Sequence, residues 1–111
     1  MKILGLGINI IERADIPLNE SSYIKGEWGN VQTSIGEDVD LSTIISIKEA
    51  FLKASSDYLT SVDLTKVVVE ARDHSYHISF HDSDFLVNKQ CWITTRAYPE
   101  YTIASVTLVS A

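Results

Sequence analysis

Hydrophobic and polar positions change their period along the chain. Ile3 to Ile11, "ILGLGINII", is an apolar run broken only by two glycines and one amide, Asn9. That is the length and composition of a strand. From Glu12 to Asp40 no period holds, and Tyr23, Trp28 and Val31 are the strong anchors of what reads as a loop or short helix. Between Ser42 and Tyr58 the apolar residues recur at helical spacing. Ile44, Ile47, Phe51, Ala54 and Tyr58 form one stripe, with Ile45 and Leu52 at its margins. Asp40 or Ser42 is placed to cap the start. After "SVDL" the period falls to two. Thr65 to Ala71 and Tyr76 to His81 read as strands, the second with Tyr76, Ile78 and Phe80 on one face and His77, Ser79 and His81 on the other. One or two further strands fit "FLV" and "QCWITT", and Tyr101 to Val109 follows the break at Pro99. The order predicts a single α+β domain over residues 1–111, with a long helix packed on a mainly antiparallel sheet in meander order.

The chain has 111 residues, of which 45% are hydrophobic, enough for one domain with its own core. The formal net charge is −6, which argues against non-specific nucleic-acid binding, since that rests on neutralising phosphates. No stretch suits a bilayer span. The N-terminus has one lysine and a short apolar run, like a signal peptide. Glu12, Arg13 and Asp15 follow without a small-residue cleavage site, so the run reads as a first strand and the expected compartment is the cytoplasm. Cys91 is the only cysteine. That excludes an internal disulfide and a cysteine metal cluster, and its strand setting predicts a buried, inert thiol.

The polar residues inside these patterns carry the candidate chemistry. Asn9 is unusual in a strand, and a buried amide needs a partner at each end. Glu49 and Lys53, one helical turn apart outside the apolar stripe, suit a surface ion pair worth a few tenths of a kcal/mol. Lys48 falls within the stripe, where an ammonium must snorkel or find a partner. His77 and His81 share a strand face about 13 Å apart, too far to hold one ion. The acidic "GEDVD" resembles part of a calcium loop but lacks the ligand spacing. Phosphate-binding, dinucleotide and serine-elbow glycine motifs are missing from the sequence.

Three segments taken together carry a resemblance. "GLGINIIERADI" (Gly5 to Ile16), "SIKEAFLKAS" (Ser46 to Ser55) and "WITTRAYPEYTIASVTL" (Trp92 to Leu108) are similar to the strand "GIGxDIxEIxRI", the helix "AAKEAFxKA" and the closing "SISHxxxYAxAxVxL" of the holo-acyl-carrier-protein synthases. These small enzymes belong to the phosphopantetheinyl transferase superfamily. The "KEAF" segment followed by Lys53 and Ala54 is the most specific part. The resemblance implies transfer of 4'-phosphopantetheine from coenzyme A to a serine of an acyl or peptidyl carrier protein. It also implies a homo-oligomer, with a trimer favoured. It makes Glu49 a Mg²⁺ ligand and catalytic residue, and Lys53 a catalytic, phosphate-contacting residue. Lys48 matches the lysine before that glutamate, and Arg96 would bind coenzyme A phosphate where the family carries histidine. A hard cation suits charged oxygens and offsets charge on a leaving phosphate.

The departures from the family pattern share a direction. Asn9 stands where the family has its metal-binding aspartate; the resemblance makes its carbonyl a weak second Mg²⁺ ligand beside Glu49, so Mg²⁺ affinity is expected to be weak or lost. Thr94 and Thr95 replace small residues before Arg96, and Ile44 and Ile45 replace an "RF" pair that serves coenzyme A. Asp15 reverses a basic charge on the carrier-docking side. Metal, coenzyme and partner are all touched. Two readings therefore stand: a divergent transferase with a degraded site, or an inactive homologue with a binding, assembly or scaffold role. An unrelated α+β domain sharing "KEAF" is a third.

Overall fold

A computed structural model describes residues 1–12, 41–59, 66–72, 75–80 and 84–110. The readings of the segment 13–40, of Asp40 as a cap, of Asp15, of His81, and of the acidic stretch before the helix fall outside those residues. The described elements run β1 (Lys2–Glu12), α1 (Leu41–Ala54), β2 (Val67–Arg72), β3 (Ser75–Phe80), β4 (Lys89–Ala97) and β5 (Tyr101–Ser110). No helix among them is long and apolar enough to cross a membrane.

The α+β class and the antiparallel pairing hold, but the meander does not. Two antiparallel sheets form, one with strand order β1-β5-β4 and one with β2-β3. The first strand thus lies beside the last, with Asn9 opposite Ala104 and Gly7 opposite Val106. The single strand β4 begins after Asn88, whose backbone φ of 63 closes the turn before it. Asparagine tolerates that left-handed conformation better than most residues.

The helix is shorter than its periodicity predicts. It ends at Ala54, and turns continue to Tyr58. Ser55 Oγ donates to the Phe51 carbonyl at 2.9 Å and Ser56 Oγ to the Lys53 carbonyl at 2.9 Å. Such local bonds offer the chain an alternative to the helical ladder. Tyr58, predicted to close the apolar stripe, is exposed. Ser42 is no cap: it lies inside the helix, buried, with its hydroxyl 2.8 Å from that of Thr102 on β5. Ile44, Ile45, Ile47, Ala50, Phe51 and Ala54 are buried. The core joins α1 to Val67, Val69, Ala104, Val106 and Leu108. Phe51 meets Phe80 edge to face at 6.2 Å, tying the smaller sheet to the helix.

Two glycines set how close α1 comes to β1. A Cβ on Gly7 would sit 1.9 Å from the Ala50 carbonyl oxygen and 2.7 Å from the Ala54 nitrogen. One on Gly5 would sit 1.9 Å from the Ala54 carbonyl oxygen. The helix therefore rests directly on the strand backbone, as glycine in a strand permits. This contact brings short side chains of β1 within reach of polar groups on α1.

Candidate functional site at the strand–helix contact

Asn9 follows Gly7 by one pleat, on the same face of β1, and is buried. Glu49 and Lys53 each precede by one residue the alanines whose backbone lies on the glycines. The three side chains converge. Asn9 Nδ2 donates to Glu49 Oε2 at 2.7 Å. Lys53 Nζ donates to Asn9 Oδ1 at 3.0 Å and to the Ile8 carbonyl oxygen at 2.9 Å. Asn9 thus bridges carboxylate and ammonium, and both bonds are charge-assisted. Glu49 is half-buried and Lys53 exposed, so the cluster lies at the edge of the core with one side open to water.

The other candidate residues lie elsewhere. Lys48, a neighbour of Glu49 in sequence, turns into the core and is 1% exposed. Desolvation lowers its ammonium from 10.5 to about 8. Arg96 pairs with Ile103, which pairs with Ile10, whereas Thr95 pairs with Ala104, which pairs with Asn9. By strand alternation Arg96 stands on the opposite face of the sheet from Asn9. Within one chain it does not join Lys53 at a common phosphate. Cys91 is half-buried, and burial pushes its thiol up to about 11. His77 is exposed on β3 and lines a cleft of about 390 Å³ with Lys89, Cys91 and Trp92. Asn9, Glu49 and Lys53 are not among the residues lining it.

Two contributors to the site escaped the sequence reading. The Ile8 carbonyl is a backbone group with no sequence signature. The glycines did carry a signal, since Gly at alternate strand positions marks close approach of another backbone.

The donor set does not fit a divalent metal ion. Among the described residues a cation between β1 and α1 would find one carboxylate, and the atom Asn9 turns toward that carboxylate is a nitrogen bearing hydrogens. Among the described residues no group of three or more His, Cys, Asp or Glu gathers where it could hold a metal.

A helix laid on a three-stranded antiparallel sheet, with a two-stranded sheet beside it, is an α+β architecture shared with solved structures. The structure resembles holo-[acyl-carrier-protein] synthase of Thermotoga maritima with a TM-score of 0.76 at 20% identity, covering 98% of this chain and 65% of that one. It resembles the Bacillus anthracis holo-(acyl-carrier-protein) synthase, solved in complex with CoA (3',5'-ADP), with a TM-score of 0.72 at 18% identity over 100% of both chains. The Plasmodium yoelii holo-ACP synthase gives 0.71 at 15% identity, covering 98% of this chain and 96% of that one. No protein-family model and no curated protein matches the sequence. The chain has the holo-acyl-carrier-protein synthase fold, at sequence identities low enough that the likeness is one of architecture.

Proposed function

We propose that this protein is a divergent holo-acyl-carrier-protein synthase-like protein. In its active form it transfers 4'-phosphopantetheine from coenzyme A to a carrier-protein serine in the cytoplasm. The observation that carries this reading is the convergence of Glu49, Lys53 and Asn9 at the contact of β1 and α1. Lys53, exposed beside the cluster, offers an ammonium to phosphate oxygens. Glu49 is the carboxylate positioned to take a proton. In the transfer the serine Oγ bonds to the phosphorus bearing pantetheine. The phosphoanhydride bond to 3',5'-ADP breaks, and the serine proton passes to the base. Arg96 is on the wrong face for the same site in one chain. It serves coenzyme A only where a second copy of the chain meets this one, as a homo-oligomer, and a trimer is the favoured assembly.

A second reading has its own observation. Asn9 already bonds both Glu49 and Lys53, and the outer row of β1 leaves Leu6, Ile8 and Ile10 exposed. A polar cluster bonded within itself, beside a bare apolar face, favours an inactive homologue that binds or assembles. Incubating the protein with coenzyme A, Mg²⁺ and apo carrier separates the two. The transferase reading expects the mass of phosphopantetheine to be added to the carrier. No addition, where an authentic synthase modifies the same carrier, leaves the binding or assembly role.

A further inference from the structure

We infer that Lys53 is the resident cation of the strand–helix site, and that the Asn9 amide, fixed with its nitrogen on Glu49, closes to divalent ions the position where the resemblance expects Mg²⁺.

The orientation of the amide follows from what its neighbours are able to do. An ammonium only donates, so the Asn9 atom 3.0 Å from Lys53 Nζ must be the oxygen. The atom left for Glu49 is then the nitrogen, 2.7 Å from Oε2, and a carboxylate accepts it. Each end of the amide assigns the other, which removes the usual ambiguity between oxygen and nitrogen. Turning the amide over would set donor against donor at Lys53 and acceptor against acceptor at Glu49. A divalent ion between Asn9 and Glu49 would face two N–H groups where it requires oxygen.

Charge points the same way. Among the described residues the cluster holds one carboxylate and one ammonium, so it has no net charge of its own to attract a second cation. An incoming ion would also displace Lys53 Nζ from both of its oxygens on β1, the Ile8 carbonyl and Asn9 Oδ1. The displaced ammonium remains tethered to α1 one turn from Glu49, close enough to repel the ion.

The inference stands on side-chain geometry and does not depend on whether phosphopantetheine is transferred, so its probe is Mg²⁺ alone, without coenzyme A or carrier. The full chain is examined by calorimetry and by thermal melting in millimolar Mg²⁺ and in chelator. The wild type is expected to show no saturable Mg²⁺ heat and the same Tm in both. Lys53→Met removes an exposed side chain, frees Asn9 Oδ1 and leaves Glu49 unbalanced. Its Mg²⁺ affinity is expected to exceed that of the wild type by roughly tenfold or more, because ligand charge sets such affinities. Asn9→Asp puts two carboxylates where a hydrogen bond stood. Its Tm is expected to fall in chelator and recover in Mg²⁺. Saturable Mg²⁺ binding by the wild type that Glu49→Gln abolishes would overturn the proposal. So would a Lys53→Met variant as indifferent to Mg²⁺ as the wild type.

Discussion

The two faces of β1 are built from alternating residues of one short segment, and they meet opposite surroundings. Gly5, Gly7 and Asn9 face α1, where the helix backbone leaves no room for a Cβ on either glycine. Leu6, Ile8 and Ile10 face away and are 59%, 53% and 62% exposed. A half-buried strand normally turns its apolar side chains inward. Here the inward row is the small and polar one, and the large aliphatic row is bare. The inner row gives up side-chain packing in exchange for direct backbone contact, and that contact lets an amide reach a helix carboxylate. The outer row then holds apolar surface with nothing from the described residues of this chain upon it. An exposed apolar row on an edge strand is what a protein–protein contact uses.

The sharpest way to break this comparison is to put a methyl group on the inner row. Gly7→Ala places a Cβ where the Ala50 carbonyl oxygen stands 1.9 Å away, and the obstacle is backbone rather than a flexible side-chain end. Helix and strand must part, at a cost of about 3 kcal/mol or more. The bridge from Asn9 to Glu49 is lost with them. On the outer row Leu6→Thr adds no clash and keeps strand propensity, so denaturant melts should show a change below about 1 kcal/mol. Equal losses in the two variants would mean the helix does not rest on the strand backbone.

The outer row is tested by its effect on assembly. With Leu6, Ile8 and Ile10 all changed to Thr, the protomer should keep its circular-dichroism spectrum and lose self-association. Light scattering is expected to report an oligomer for the wild type and a monomer for the triple variant at the same concentration. A wild type that stays monomeric at every concentration would mean that this row does not pair copies of the chain.

Much of this architecture was legible before any coordinates. The helical stripe from Ile44 to Ala54 and the alternation of Tyr76, Ile78 and Phe80 are local periods, and local periods survive folding. The pairing of β1 with β5 is not local. It joins residues nearly the whole chain apart, and nothing near Asn9 announces Ala104 as its neighbour. For the same reason the face taken by Arg96 was unreadable, because it depends on the register of β4 against β5. The site was half visible. Spacing alone made Glu49 and Lys53 a helix-surface ion pair, and only the resemblance put Asn9 beside them. That Lys53 would also reach the Ile8 carbonyl required the helix backbone to lie directly on the strand backbone. Gly5 and Gly7 made that possible, and their meaning lies in a partner the sequence does not identify.

Lys48 measures how dry the helix is on the side turned away from β1. Its ammonium, buried beside the helix–sheet core, is lowered from 10.5 to about 8. Between those values the unfolded chain keeps a proton that the folded chain has released, so stability rises with pH across that window. From pH 8 to 9 the expected gain is about 1 kcal/mol. Cys91 works in the other direction: its thiol is raised from 9.0 to about 11, so the unfolded chain loses that proton first and stability falls through that range. The lysine effect therefore shows best below pH 9, in denaturant melts of the wild type against Lys48→Met. The methionine keeps the volume and removes the titration, so its profile should lose the rise and retain the decline from Cys91. A wild-type profile already flat from pH 8 to 9 would mean that water or a polar partner keeps the Lys48 ammonium charged in the folded chain.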